Sequence, residues 1–156
     1  MSAGAIYHSL NDPDAPLLRI ATTKSFTVLD KNILQFSGEG NTYFRRNVSD
    51  PLRFTLGGPL RLSASSIDEY RGTDDYLLRA VYLRQLAALP SGLGQGLYFT
   101  FGYEAGEMWS PENSAFLRQD AFTGLVAATP FGAITFATSI GDAGHRKVFF
   151  TLGRLF

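Results

Sequence analysis

Gln95-Gly-Leu-Tyr-Phe-Thr-Phe-Gly-Tyr-Glu-Ala105 is the stretch whose reading decides the fold. Leu97, Phe99, Phe101, Tyr103 and Ala105 take alternate positions, and Gly96, Tyr98, Thr100, Gly102, Glu104 and Gly106 fill the places between. A period of two belongs to a β-strand, here with one large apolar row opposite a small or polar one. Two environments suit such a strand. A membrane barrel turns the apolar row to lipid and the small row to its lumen, whereas a soluble sandwich turns the apolar row inward. Alternation alone does not separate them.

The same alternation recurs on both sides. Upstream, Leu18, Ile20, Phe26 and Val28 alternate with Arg19, Ala21, Thr23, Ser25 and Thr27, Leu29-Asp-Lys-Asn32 reads as a hairpin turn, and Ile33 to Glu39 reads as the return strand. Downstream, Ala121 to Gly141 carries no charge and so resembles a spanning helix of roughly 20 residues. Thr129-Pro-Phe-Gly132 interrupts it, because Pro removes a helix donor and Gly weakens the helix. Beyond that, Ile134, Phe136, Thr138 and Ile140 alternate with smaller residues, so two strands and a tight turn fit better. Tyr76 to Leu89 stays open between helix and strand: Leu77/Val81, Leu78/Tyr82 and Tyr82/Leu86 lie at helical spacing. The last ten residues, Lys147 to Phe156, return to strand spacing with Phe150, Leu152 and Phe156, an apolar row running to the terminal aromatic.

Composition narrows the classes. The 156 residues make a single domain, 45% hydrophobic and 13% aromatic, which is ample for a packed or lipid-facing surface. Fourteen basic and fourteen acidic residues cancel and form no basic stripe, which argues against nucleic acid. Absence of cysteine excludes disulfides, thiolate metal sites and a cysteine nucleophile. The N-terminal Met1-Ser-Ala-Gly-Ala-Ile-Tyr-His8 has neither the basic start nor the apolar core of a signal peptide.

Connections between the expected strands alternate in length. Those at 29–32 and 130–132 are tight and 89–94 is short, while 41–73 is very long, 109–119 long and 141–145 short to medium. Short turns on one rim and longer loops on the other match the periplasmic and extracellular ends of an outer-membrane barrel. Met108 and Trp109 are then expected at the outer interface, and Phe131 and Phe156 at the inner one.

Four segments in fixed order resemble the bacterial surface antigen superfamily of outer-membrane assembly factors and two-partner secretion transporters. They are Phe54-Thr-Leu-Gly-Gly58, Tyr103-Glu-Ala-Gly-Glu-Met-Trp109, Thr129-Pro-Phe-Gly132 and Phe150-Thr-Leu-Gly-Arg-Leu-Phe156. Leu62-Ser-Ala64 and Tyr82-Leu-Arg84 are most similar to its patatin-like autotransporter branch. The matches span Phe54 to Phe156. The resemblance implies an all-β, antiparallel transmembrane β-barrel, of whose sixteen or so strands about seven lie in this chain. They are expected at 17–28, 32–40, 73–89, 94–108, 120–129, 132–140 and 146–156, which resolves the open segment as strand. Residues 1–156 would form a partial C-terminal barrel domain, with 41–73 as one long loop folding back into the lumen.

In that family a tip arginine of the long loop pairs with an acidic residue on the wall. Glu104 holds the acidic position, but Ser63 stands at the tip, leaving Arg61, of the same parity, as the replacement partner, or a wall arginine such as Arg79. The resemblance also implies that Phe150, Leu152, Gly153 and Phe156 form a terminal signal read by the barrel assembly machinery through strand addition. Catalysis is not expected: there is no Gly-x-Ser-x-Gly elbow, and the lipid-hydrolase machinery of patatin-like relatives has no counterpart here. His8 and His145 lack ligand spacing, and Asp12, Asp14, Asp68, Glu69, Asp74 and Asp75 read as solvated loop or strand-start charges, so neither metal nor cofactor is expected.

The expectation is therefore a piece of wall in the bacterial outer membrane, serving protein secretion or assembly or anchoring a patatin-like passenger. Its partners would be membrane lipid, the assembly machinery and the remaining strands of a larger barrel. Two rivals are an independent eight-stranded barrel using residues 3–9 as the further strand, and a soluble β-sandwich or lipocalin-like ligand binder.

Overall fold

The computed structural model describes residues 17–29, 31–44, 48, 53–90, 92–111 and 117–153. They form nine strands: β1 Leu17–Val28, β2 Asn32–Tyr43, β3 Phe54–Leu56, β4 Tyr70–Gly72, β5 Asp74–Ala87, β6 Gly96–Trp109, β7 Arg118–Thr129, β8 Gly132–Gly141 and β9 Arg146–Gly153. Seven of them make one antiparallel sheet in the order β1-β2-β5-β6-β7-β8-β9, while β3 and β4 pair separately inside the long β2–β5 connection. The described residues contain no α-helix; a single 3-10 turn, Asp142–Gly144, joins β8 to β9.

The segment left open by its spacing is strand throughout, paired with β2 on one side and β6 on the other. One extra residue, Leu86, bulges out between the pairs Gln85↔Tyr98 and Ala87↔Leu97. Observed bounds differ from the expected ones by a few residues at strand ends, the usual place for such differences.

Register sorts the side chains into two faces. The row Lys24↔Phe36↔Ala80↔Tyr103↔Ala121↔Ile140↔Arg146 points one way, and the neighbouring row through Ser37, Arg79, Glu104 and Asp120 points the other. The apolar row of β6 is the uncovered one: Phe101 is 50% exposed, while Thr100 and Glu104 on the opposite parity are 1% and 0% exposed. Phe36, Leu78, Leu125, Phe136, Val148, Phe150 and Leu152 lie on the same uncovered face.

Across the covered face packs a core of Val81, Leu83, Phe122, Val126, Ala137 and Phe149, with Leu60 of the long loop pressed onto it. Phe122 meets Phe149 edge-on, ring centroids 6.2 Å apart. It also lies over Gly102, where any Cβ would strike its ring. A second cluster joins Leu56 and Leu62 of the loop to Leu77, with Met108 and Tyr70 against it. Met108 therefore faces the covered side, contrary to its expected interface position, because its even number on β6 gives it the parity of Glu104. Trp109 has the outward parity and lies 5.5 Å from the ring of Tyr76.

Antiparallel pairing puts connections 29–31, 88–95 and 130–131 on one rim and 44–73, 110–117 and 142–145 on the other. The longest and the tightest connections fall on opposite rims as expected, but 88–95 is longer than 142–145, so the length asymmetry is not uniform. Successive reversals leave β1 and β9, the two sheet edges, running in the same direction.

Candidate functional site: the loop fastened to the covered face

Residues 57–69 turn back over the covered face on a strained backbone. Gly57 and Gly58 have φ of 119° and 111°, and Leu60, Leu62 and Asp68 are left-handed at 63°, 65° and 54°. Such conformations cost of order 1–3 kcal/mol each in non-glycine residues, so tertiary contacts must hold them. Inside the turn, Leu60 N–H donates to Ser63 Oγ at 2.9 Å and Arg61 N–H to Gly58 O at 3.0 Å.

The sheet supplies the rest. Glu104 Oε2 accepts from both the backbone N–H and the hydroxyl of Ser63, each at 2.7 Å. Asp120, directly opposite Glu104 on β7, accepts the next N–H, that of Ala64, at 2.7 Å. Ser139 on β8 donates its hydroxyl to Ser63 O at 2.8 Å. Arg79 on β5 donates to Leu60 O at 2.7 Å, and Lys147 on β9 to Ser66 Oγ at 2.8 Å. Gly141 leaves the space in which Ala64 meets Asp120, since a Cβ there would lie against both side chains. Two adjacent carboxylates thus receive two successive backbone N–H groups, an arrangement that suits anionic acceptors.

Arg61 and Glu104, the expected pair, do not meet. Arg61 reaches Glu39 on β2 at 2.5 Å, while Glu104 takes Ser63 instead. The reason is directional: with Leu60 and Leu62 left-handed, the turn aims Ser63 at the middle of the sheet and Arg61 toward β2. The two Ser63 hydrogen bonds first, and then Arg79 in register with Glu104, oppose the burial cost of its carboxylate. Glu104 Oε1 has no hydrogen-bond partner.

At the exposed shoulder of the loop, Ser66 N–H donates to Glu69 Oε2 at 2.5 Å, and this bond holds the Glu69 carboxyl below the usual glutamate range. Of the expected terminal signal, Phe150 and Leu152 lie on the uncovered face at 62% and 64% exposure and Gly153 ends β9 at φ 140°, while Phe156 lies outside the described residues. His8, Asp12, Asp14 and residues 3–9 also lie outside them. Among the described residues no group of acidic or histidine side chains is arranged to hold a metal ion.

Sequence reasoning missed Asp120, Ser139 and Lys147 and read Ser63 only as a lost arginine. One signal was present: Glu104 shares its parity on β6 with Gly96, Thr100, Gly102 and Gly106, where a lone carboxylate is costly without donors.

No family model matches this sequence, and no curated protein matches it.

Proposed function

We propose that this chain forms wall of a bacterial outer-membrane β-barrel, with residues 53–73 folded against its lumenal side. Its role would be that of the surface antigen superfamily it resembles, secretion or assembly of polypeptide or anchoring of a patatin-like passenger. The observation that carries the reading is the two-sided sheet: the face that holds Glu104, Asp120 and the packed core is covered by the chain's own loop, while large apolar side chains on all seven strands stay uncovered on the other. In water such a face would exceed the few hundred Å² that soluble monomers expose. Facing acyl chains, it needs no further cover. A sandwich would require a second sheet over Phe99, Phe101 and Phe150, and the described residues contain none.

The edges add a condition. In lipid an unpaired strand edge costs several kcal/mol per exposed backbone group, so β1 and β9 must find partners. Because they run in the same direction, antiparallel closure needs an odd number of further strands; one makes eight and nine make sixteen. One observation favours the smaller ring: Ala21–Thr23 of β1 and Thr151–Gly153 of β9 flank a single cavity of about 440 Å³ beside the Leu60–Arg61 tip. The larger ring rests on the resemblance alone.

The test places single tryptophans at Phe99, Phe150 or Phe122 in a Trp109→Phe background and refolds the protein into vesicles containing brominated lipid. Strong quenching at positions 99 and 150 and weak quenching at 122 is expected. Equal shielding of all three in a lipid-free, cooperatively folded protein would sink the reading.

A further inference from the structure

The uncovered face has a groove that a plain lipid-facing wall does not require. It crosses β1, β2, β5 and β6 as an apolar depression of about 490 Å³, within the range of small-molecule sites (~300–1,000 Å³). Gly38, Ala80 and Ala105 floor it and Phe36, Leu78 and Tyr103 wall it. The floor depends on Gly38, since a Cβ there would lie 3.2 Å from Leu78 Cδ2.

Lys24 stands at the β1 side of this groove. Every other charged side chain of outward parity on the described strands is near a rim: Asp74 opens β5, Arg146 opens β9, Glu107 is two residues from the end of β6, and Arg84 faces Asn32, the first residue of β2. Lys24 lies four residues before the end of β1, about 13 Å along the strand from the turn. Its ammonium lies 5.3 Å from the ring centroid of Phe26, and among the described residues it has no acidic partner. A cation on the lipid-facing side away from the interface is unfavourable, and an anion brought to it would offset that cost.

We propose that the groove is a binding site for one anionic phospholipid of the turn-side leaflet, an acyl chain lying over Gly38 between Phe36, Leu78 and Tyr103 and the phosphate on Lys24. The inference rests on the membrane reading above and goes beyond it by naming a ligand. An apolar trough ending in a lone cation matches an amphiphile whose charge and chain are joined; a free anion leaves the trough empty, and a neutral lipid leaves Lys24 without a counter-charge.

The full chain, refolded into vesicles of phosphatidylcholine with or without phosphatidylglycerol, is floated, extracted into mild detergent and weighed intact by native mass spectrometry. One retained phosphatidylglycerol per chain, preferred over phosphatidylcholine, is expected. Lys24→Gln should weaken retention about tenfold, the effect of losing one ionic contact of roughly 1.4 kcal/mol, Lys24→Arg should keep it, and Gly38→Leu should abolish retention of both lipids. Equal retention of the two lipids, or an unaltered Lys24→Gln variant, overturns the proposal, as does displacement by glycerol phosphate at the lipid's own concentration. A chain that floats with vesicles but shows no headgroup preference overturns the groove and leaves the wall standing, whereas a chain that never floats overturns both.

Discussion

Ser63 and Glu104 form the most buried polar link between the 57–69 turn and the sheet. Two donors of Ser63 converge on a single carboxylate oxygen, and removing that acceptor strands both in a buried setting at about 1–3 kcal/mol. Glu104→Ala should therefore raise the rate of proteolytic cleavage within 53–73 by at least tenfold, while Ser63→Ala, which keeps the backbone donor, should raise it only a few-fold. Unchanged cleavage in Glu104→Ala would show that the hydrophobic contacts of Leu56, Leu60 and Leu62 suffice. Glu69 gives the same loop a pH dependence. Its folded carboxyl is held below the ordinary value of about 4.3, so its contribution is complete above that value and is lost as pH falls through the lower folded one. Amide exchange at Ser66 should speed up over that acid window, and Glu69→Gln should remove the dependence.

Strands β5 and β6 show why local pattern read one element easily and the other poorly. In β6 the apolar row is uninterrupted, so parity was plain. In β5 the pairs Leu77/Val81, Leu78/Tyr82 and Tyr82/Leu86 are four apart, and four is an even number: such residues share a face in a strand as they do in a helix. Only pairing with β2 and β6 separates the two. Gly102 is the point where β6 and β7 must interlock, because Phe122 occupies the space a side chain would need. Gly102→Val should destabilise the fold by about 1–3 kcal/mol through overpacking, read as a lower urea midpoint. Gly40, a strand glycine likewise without a left-handed φ, where a Cβ would meet only an ordinary contact at 3.8 Å, is the control for loss of glycine without overpacking. A Gly102→Val midpoint no lower than that of Gly40→Val would refute the packing argument.

For the molecule as a whole, the uncovered apolar face makes opposite predictions in water and in lipid. Phe101→Arg should lower folding stability in vesicles by about 2–4 kcal/mol if position 101 lies near mid-bilayer. In a soluble protein the same change at a half-exposed site would be near neutral and would reduce aggregation. Refolding yield into vesicles, followed by the mobility shift between heated and unheated protein, distinguishes the two.

Strand positions, their two faces and the long connection were legible in the chain because a strand's side-chain period is local: each residue's side follows from its neighbour's. That Glu104 shares a face with the small residues of its strand was legible for the same reason. What Arg61 and Ser63 would touch was not, because left-handed turns at Leu60 and Leu62 set their directions, and the loop that contains them is held by contacts with six strands of the sheet. Nor was the gathering of Glu104, Asp120 and Ser139 onto two consecutive residues of one loop, or of Lys24, Gly38 and Leu78 around one groove. Each requires sheet register, and register is decided by pairing across the whole sheet rather than by any segment alone.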